Sequence, residues 1–396
     1  MHLVTGYEEL MAALATELRL AESDVAVAGL GPENLDAQLV SFPYDFRQSV
    51  ADCAQALDAA LRMRVQGRPV VLVAHSMGGL VAARWWADLS DGIDVRQIIT
   101  LGTPFQGATK ALDWVVNGIT VAGVPIPIGS APEVYRGWPS MFDLLPHAQV
   151  VEGNPAGGYP HQLPETVTRA VPGFAARAEQ AYRANAEMQR ALAARAENGH
   201  CFTPYFSQAK KTPCRALFTD ERLVTLKEDP DWVPPGWETG DGTVPMFSTI
   251  PQALEEQPRA WGPQQKLSHG DLVKSEAVVE AVGRYGLTRL PGAARGPDHH
   301  RPYLRLDLDD VLPAGQPQSV RVQVIGPEGT PLRATEVAGR LAGQRFRGEA
   351  DGDAWTLPVP AVVEGIHQLR VTATGVPDCD RLTMTTTVGM TSCANA

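Results

Sequence analysis

The chain lacks any run approaching the roughly 18–20 consecutive apolar residues that a membrane-crossing helix needs. Its opening, MHLVTGYEELMAAL, lacks the basic start and apolar core of a secretion leader, so a cytoplasmic protein is expected. Positive charge is also short. Thirty-four Lys and Arg stand against 45 Asp and Glu, a net charge of −11. That balance argues against DNA, RNA or an anionic lipid surface as an electrostatic partner, and leaves open apolar contact with a neutral lipid interface. Cysteine is scarce, odd in number at five, and shows no metal-ligand spacing. Cys379 and Cys393 flank a strand expected at 381–388, about 25 Å long, too far apart to pair unless the tail folds back. Cys201 and Cys214 are spaced to close a small loop, but free thiols in a reducing compartment are the default for all five.

What is present is ordinary for a globular protein: 44% hydrophobic and 20% charged residues over 396 positions, a length that suggests two or three domains. Residues 5–20 read as a helix, with Thr5 and Glu8 as a capping box and an apolar stripe of Tyr7, Leu10, Met11, Leu14 and Leu18. DVAVAGLGPENL at 24–35 is short and turn-rich, and AQLVSFPYDFR enters a strand that stops at Pro43. A second amphipathic helix is expected at 49–64, with Val50, Cys53, Ala54, Leu57 and Leu61 on one side. The apolar runs at 70–73 and 96–104 read as strands buried in a parallel sheet.

From about 105 to 213 the alternation of strand and helix lapses, except for an Ala-rich helix at 174–197. A strand returns at 214–219, a turn at 240–245 and a last amphipathic helix at 272–285. LTRLPGAARGPDHHRP, 287–302, has linker composition; its Asp298, His299 and His300 read as solvated residues and not as metal ligands. Beyond it the pattern has period two, as in Leu304, Leu306, Leu308 and Val320, Val322, Val324, which predicts short antiparallel strands in a sandwich.

One stretch carries chemistry. In VVLVAHSMGGLVAARWW, 70–86, an apolar strand runs into Ala74-His75-Ser76-Met77-Gly78, and a helical pattern with Leu80, Ala83 and Trp86 follows Gly79. Strand, sharp turn and helix are the context in which a strained turn lifts a serine hydroxyl above a sheet as a nucleophile. Alanine replaces the usual first glycine of the G-x-S-x-G pattern, and the alternative is a structural turn.

A serine nucleophile needs a base, and the base needs a group to fix its tautomer. Of nine histidines, His2, His75, His147, His161 and His200 precede any acid-bearing strand end after 214. His299 and His300 are in the linker, and His367 belongs to the sandwich. His269, in QQKLSHGDLVKS, remains. For the acid, Asp241 in ETGDGTVP and Asp220 at a strand end both respect the order Ser, acid, His, while Asp271 breaks it. Order and spacing leave Asp241 and Asp220 undivided.

Several stretches together resemble a known family. NLDAQLVSFPYDFR, VAHSMGGLV, ITLGTPFQGATKAL, RGWPSMFDLLP, GDGTVP and SHGDL match, in order from about residue 7 to 286, motifs of bacterial members of the lecithin:cholesterol acyltransferase family. That resemblance implies an α/β-hydrolase core acting on carboxylic, in particular lipid, esters, without cofactor or metal. By motif position it implies Ser76 as nucleophile, Asp241 as acid and His269 as base. Met77 N–H, directly after the nucleophile, can supply one oxyanion donor.

The family carries an earlier strand and a Gly-containing oxyanion loop ahead of the helix matched at 7–20. We expect that segment upstream of Met1, in preference to a degenerate hydrolase or to recruitment of Leu30 or Gly31 N–H from GLGPENL. The expected architecture is α/β: a hydrolase domain at 1–286, its mostly parallel sheet lacking the first strand, with a lid insertion at about 105–213. A linker at 287–302 leads to an all-β immunoglobulin-like sandwich at 303–396, an accessory module for substrate, partner or stability. Phe105, Trp114 and Val115, with Val116, Ile119 and Val121, offer an apolar face for acyl chains or an interface; the alternative is that they pack on the core. A non-catalytic binding or scaffold protein on the same fold is the rival reading.

Overall fold

The stripe expected at 5–20 forms helix α1, Tyr7–Glu17, with Leu10 and Leu14 buried. The computed structural model describes residues 7–29, 34–118, 120–121, 124–125, 131–196, 201–234, 237, 239–287, 302–309, 311–326, 329–377 and 379–391. The expectations placed on Thr5, Leu30, Gly31, Ile119, His299, His300 and Cys393 lie outside those residues. Strand β1, Val25–Val27, pairs in parallel with β2, Leu39–Ser41. Helix α2, Val50–Val65, begins at Ser49, whose hydroxyl accepts the Asp52 N–H at 3.1 Å, and buries the expected Val50, Cys53, Ala54 and Leu57.

Strand β3, Val70–His75, leads through Ser76 into helix α3, Met77–Asp88. It pairs in parallel with β4, Val95–Leu101, which pairs in parallel with Phe202–Tyr205. Side chains alternate across this sheet because strand periodicity is two. Ile98, with Leu72 and Ala74 against it, joins the core built with α2 and α3. Ile99 and Leu101, with Val73, face the other core, made by α1, Leu272, Val273 and the helix Glu276–Leu287. Helices thus cover both faces, and Ser76 and Gly102 stand directly beyond the C-terminal ends of β3 and β4.

Two features differ from the sequence reading. β3 lies at the edge of its three-stranded sheet, so Val70 to Ala74 are half-buried and not enclosed. Phe202–Tyr205, inside the interval where alternation lapses, is a fully buried strand. Its Pro204 reads as a breaker, yet as an edge position it needs no ladder donor, and its carbonyl accepts the Gly262 N–H at 2.9 Å.

The remaining sheets are mixed. Arg215–Thr219 and Arg222–Leu226 form an antiparallel hairpin, and Val151–Glu152 adds in parallel. The apolar residues between 105 and 213 build a core of their own: Leu112, Val115, Val116, Phe142, Leu145 and Phe174 pack with Ala216, Leu223 and Phe247. After residue 302 the chain is β-rich. One sheet contains Tyr303–Asp307, Gln318–Ile325 and Ala354–Val359; a second contains Glu336–Leu341, Gly365–Val376 and Cys379–Thr391. The alternating Leu304, Leu306, Val320, Val322 and Val324 share one core with Val371, Met384 and Val388. Cys53, Cys201 and Cys214 are buried free thiols, and Cys379 is free.

The small residues after Ser76 set how closely α3 approaches β4. A methyl group on Gly79 would stand 1.8 Å from Thr103 Oγ1 and 2.7 Å from its Cβ. Gly79→Ala should therefore lower the unfolding free energy by about 1–3 kcal/mol, as overpacking does. Adding Thr103→Ala should recover part of that loss. Urea denaturation of the single and double variants measures both.

Candidate active site

Ser76 sits at φ 53°, ψ −129°, outside the regions ordinary residues occupy. Its N–H donates to Leu101 O at 2.9 Å and its carbonyl accepts Gly79 N–H at 2.9 Å, which ties the turn to β4 and to α3. This bend aims Oγ at His269 Nε2, 2.9 Å away. His269 Nδ1 lies 2.7 Å from Asp241 Oδ2. Asp241 is 0% and His269 3% exposed. The carboxylate can only accept, so Nδ1 carries the proton and Nε2 is left to accept the serine hydroxyl. That is the tautomer a general base needs. The network of Ser76, His269 and Asp241 thus matches the geometry of a Ser-His-Asp catalytic triad.

The turn GDGTVP holds the acid. Asp241 Oδ1 accepts N–H groups of Thr243 at 2.9 Å and Val244 at 2.7 Å, and the Asp241 carbonyl accepts the His269 N–H at 2.9 Å. The competitors fall elsewhere. Asp220 is exposed, at φ 48° in the tight hairpin turn after Arg215–Thr219. Asp271 is buried but turns its carboxylate toward Ser268, Lys274 and Thr387. Met77, the first residue of α3, follows the nucleophile directly, and first-turn N–H groups have no partner within their helix. Trp114 is half-buried on helix α4, Thr109–Asn117, beside Lys110, whose Nζ is 3.4 Å from Gly242 O in the acid turn. Val115 and Phe105 are both fully buried, and the Phe105 carbonyl accepts from Asn185 and Gln189.

Two residues at the site escaped the sequence reading. Gly102, at φ 55°, leaves a space in which a Cβ would lie 2.7 Å from Asp241 Oδ2 and 3.1 Å from His269 Nδ1. No side chain fits there without displacing the acid–base pair. His75, set aside for its place in the chain order, bonds His269 O through Nε2 at 2.8 Å and Tyr7 Oη through Nδ1 at 2.9 Å. A carbonyl only accepts, so Nε2–H donates and Nδ1 accepts the phenol. Burial, with the His269 ring beside it, pushes the His75 imidazole down to about 3. Burial likewise raises the Tyr7 phenol to about 12.

The shift of His75 has a sign. Between its ordinary 6.5 and about 3, the unfolded chain binds a proton that the folded chain does not. Stability is then fully present above pH 6.5 and falls with decreasing pH through that window, by up to ~1.4 kcal/mol per pH unit. His147, pushed down to about 4 chiefly by burial, adds a second contribution of the same sign. His75→Gln keeps an N–H for the His269 carbonyl and removes the titration. Urea midpoints measured between about pH 6 and pH 4 should fall less steeply for this variant than for wild type. Equal slopes would refute the assignment.

Comparison with known proteins places this geometry. Residues 26–193 match the family model of lecithin:cholesterol acyltransferase. The phospholipase A(1) LCAT3 of Arabidopsis thaliana is 33% identical over 90 residues, a match covering 20% of this chain and 20% of that protein. The chain therefore spans about a fifth of the length of that curated relative. Among solved structures, a Tle4–Tli4 complex superimposes with a TM-score of 0.49 at 15% identity, over 71% of this chain and 79% of that one. A Bacillus licheniformis lipase, BlEst2, in its propeptide form gives 0.34 at 12% identity, over 88% and 86%. These structural likenesses carry no weight of their own. The family match contains the elbow with Ser76, and the later loops bring Asp241 and His269 onto it, so the matched part of the chain is similar to the lecithin:cholesterol acyltransferase family and carries the Ser-His-Asp arrangement.

Proposed function

We propose that the protein is a serine hydrolase of carboxylic esters, with lipid esters as the substrate class. The observation that carries this reading is the unbroken chain from Asp241 through His269 to the Ser76 hydroxyl on a strained elbow. In the reaction Ser76 Oγ attacks the ester carbonyl as His269 Nε2 takes its proton, giving a tetrahedral oxyanion. His269 returns the proton to the departing alcohol and leaves an acyl-serine. Water attacks the acyl group, His269 again takes the proton, and the acid is released with Ser76 reprotonated. An alcohol in place of that water makes the same intermediate an acyl donor. Asp241 fixes the tautomer and stabilises the imidazolium throughout.

Met77 N–H is one oxyanion donor in this reading, supported by its place directly after the nucleophile. Trp114 is the acyl-facing member of its group, because it is half-open beside the acid turn, while Val115 is buried in the core that Trp114 packs against and Phe105 is buried in another. The hydrolase domain covers 1–286 with a lid within 105–213. A linker at 287–302 leads to an immunoglobulin-like sandwich at 303–396, supported by two sheets that share one core. No helix among the described residues is long and apolar enough to cross a membrane.

Turnover of p-nitrophenyl esters of short and long acyl chains tests the reading. Ser76→Ala should lose at least about 10³-fold in kcat. Asp241→Asn should lose about 10⁴-fold, because an amide stabilises the wrong imidazole tautomer. A fluorophosphonate should label Ser76 in wild type, and mass spectrometry of lipid extracts treated with the protein names the head group. Equal hydrolysis by wild type and Ser76→Ala would instead favour a non-catalytic binding role.

A further inference from the structure

The β-rich region after residue 302 reaches into the loop that carries His269. The 3₁₀ turn His269–Lys274 places Asp271 two residues beyond the base, 3% exposed. One of its oxygens, Oδ1, accepts the Thr387 hydroxyl at 2.9 Å; the other, Oδ2, accepts the Thr387 N–H at 3.0 Å. Thr387 lies on Cys379–Thr391, the long strand whose inner neighbour is Gly365–Val376. The other edge of that strand is covered only from Gly389 onward, by Val311–Pro313. The carboxylate of Asp271 takes the edge donor where this pairing stops, a position that otherwise leaves a strand N–H without an acceptor.

The hydroxyl is oriented as well as near. Gln368 Nε2 donates to Thr387 Oγ1 at 2.9 Å, so the hydroxyl proton is directed to Asp271. On its own loop Asp271 accepts from Ser268 Oγ and Lys274 Nζ. Burial works against the charged carboxyl. The bonds from Ser268 and Thr387 and the Lys274 charge outweigh it and hold the group below the ordinary carboxylate range. A charged, fully bonded carboxylate is a stiff link, since hydrogen bonds to ionised groups are the strong ones.

We propose that Thr387 and Asp271 are positioning residues for His269, so that the C-terminal β-rich region is part of the working active site. This proposal rests on the hydrolase reading for its catalytic consequence. The turn His269–Lys274 has one end bound to the acid turn, through His269 N–H on Asp241 O, and its middle bound to the β-rich region through Asp271. Releasing the second attachment leaves the imidazole free to drift from Ser76 without removing any group that touches substrate. Displacement of about 1 Å in such a group costs on the order of a hundredfold in rate.

The test uses the full chain with Thr387→Val, which keeps the β-branched shape and the backbone N–H, and Thr387→Ser, which keeps the hydroxyl. With a p-nitrophenyl ester, Thr387→Val should lower kcat by about tenfold or more while KM stays within about twofold, and Thr387→Ser should stay near wild type. Hydrogen exchange of the 268–274 amides should be faster in Thr387→Val and unchanged in Thr387→Ser. Wild-type kcat and exchange in Thr387→Val would overturn the proposal, as would equal impairment of both variants. A wild-type chain that neither turns over ester nor labels at Ser76 would defeat the hydrolase reading alone; exchange then still decides the link.

Discussion

The site depends on the backbone of one residue. Ser76 is held at φ 53°, ψ −129°, a conformation that costs a non-glycine residue about 1–3 kcal/mol. It persists because its surroundings over-determine it. The N–H is fixed on Leu101 at the end of β4, the carbonyl receives the first turn of α3, and α3 is buried along most of its length. Gly79 allows that helix to sit against Thr103, so the helix start packs closely on the segment just after the strand end. Relaxing the turn would swing Oγ away from His269.

The imidazole is held with equal care. His269 donates its own N–H to the Asp241 carbonyl and its Nδ1–H to the Asp241 carboxylate, while its carbonyl receives His75. These attachments come from different parts of the chain and act in a buried setting, where fixed dipoles are worth more than in water. A neutral, buried His75 suits this role because it donates to a carbonyl without placing a second positive charge against the imidazolium that the proposed reaction would form. Gly102 contributes by emptiness, leaving the volume that the acid and base occupy. Preorganisation here is the work of the loops' neighbours as much as of the triad.

Helices α1 to α3, strands β3 and β4, the Ala-rich helix and the period-two strands were legible, because each follows from local periodicity. The edge position of β3 was not, since a run of Val and Leu reads alike in an edge and in a central strand. Phe202–Tyr205 was not legible either, since the alternation of strand and helix lapses there and the fitness of its Pro204 depends on which side of the strand is paired. His75 was passed over because chain order speaks of acid and base, not of a ring that braces a carbonyl 194 residues away. Val115 belongs to a buried core, a fact of packing that an apolar periodicity does not distinguish from an open acyl surface.

By itself the sequence determined the strand-turn-helix around Ser76 and singled out His269 among nine histidines, since both are matters of local pattern and order. Asp220 and Asp241 satisfied that order equally, and family likeness chose between them. Only the tertiary structure supplied the physical grounds: Asp220 is solvent-facing on a hairpin of a separate sheet, while the glycine-flanked turn carries Asp241 to within 2.7 Å of the imidazole. The tie between Asp271 and Thr387, 116 residues apart, was likewise decided there. Such meetings are set by how sheets and helices pack over long separations, which neither the propensity nor the spacing of nearby residues encodes.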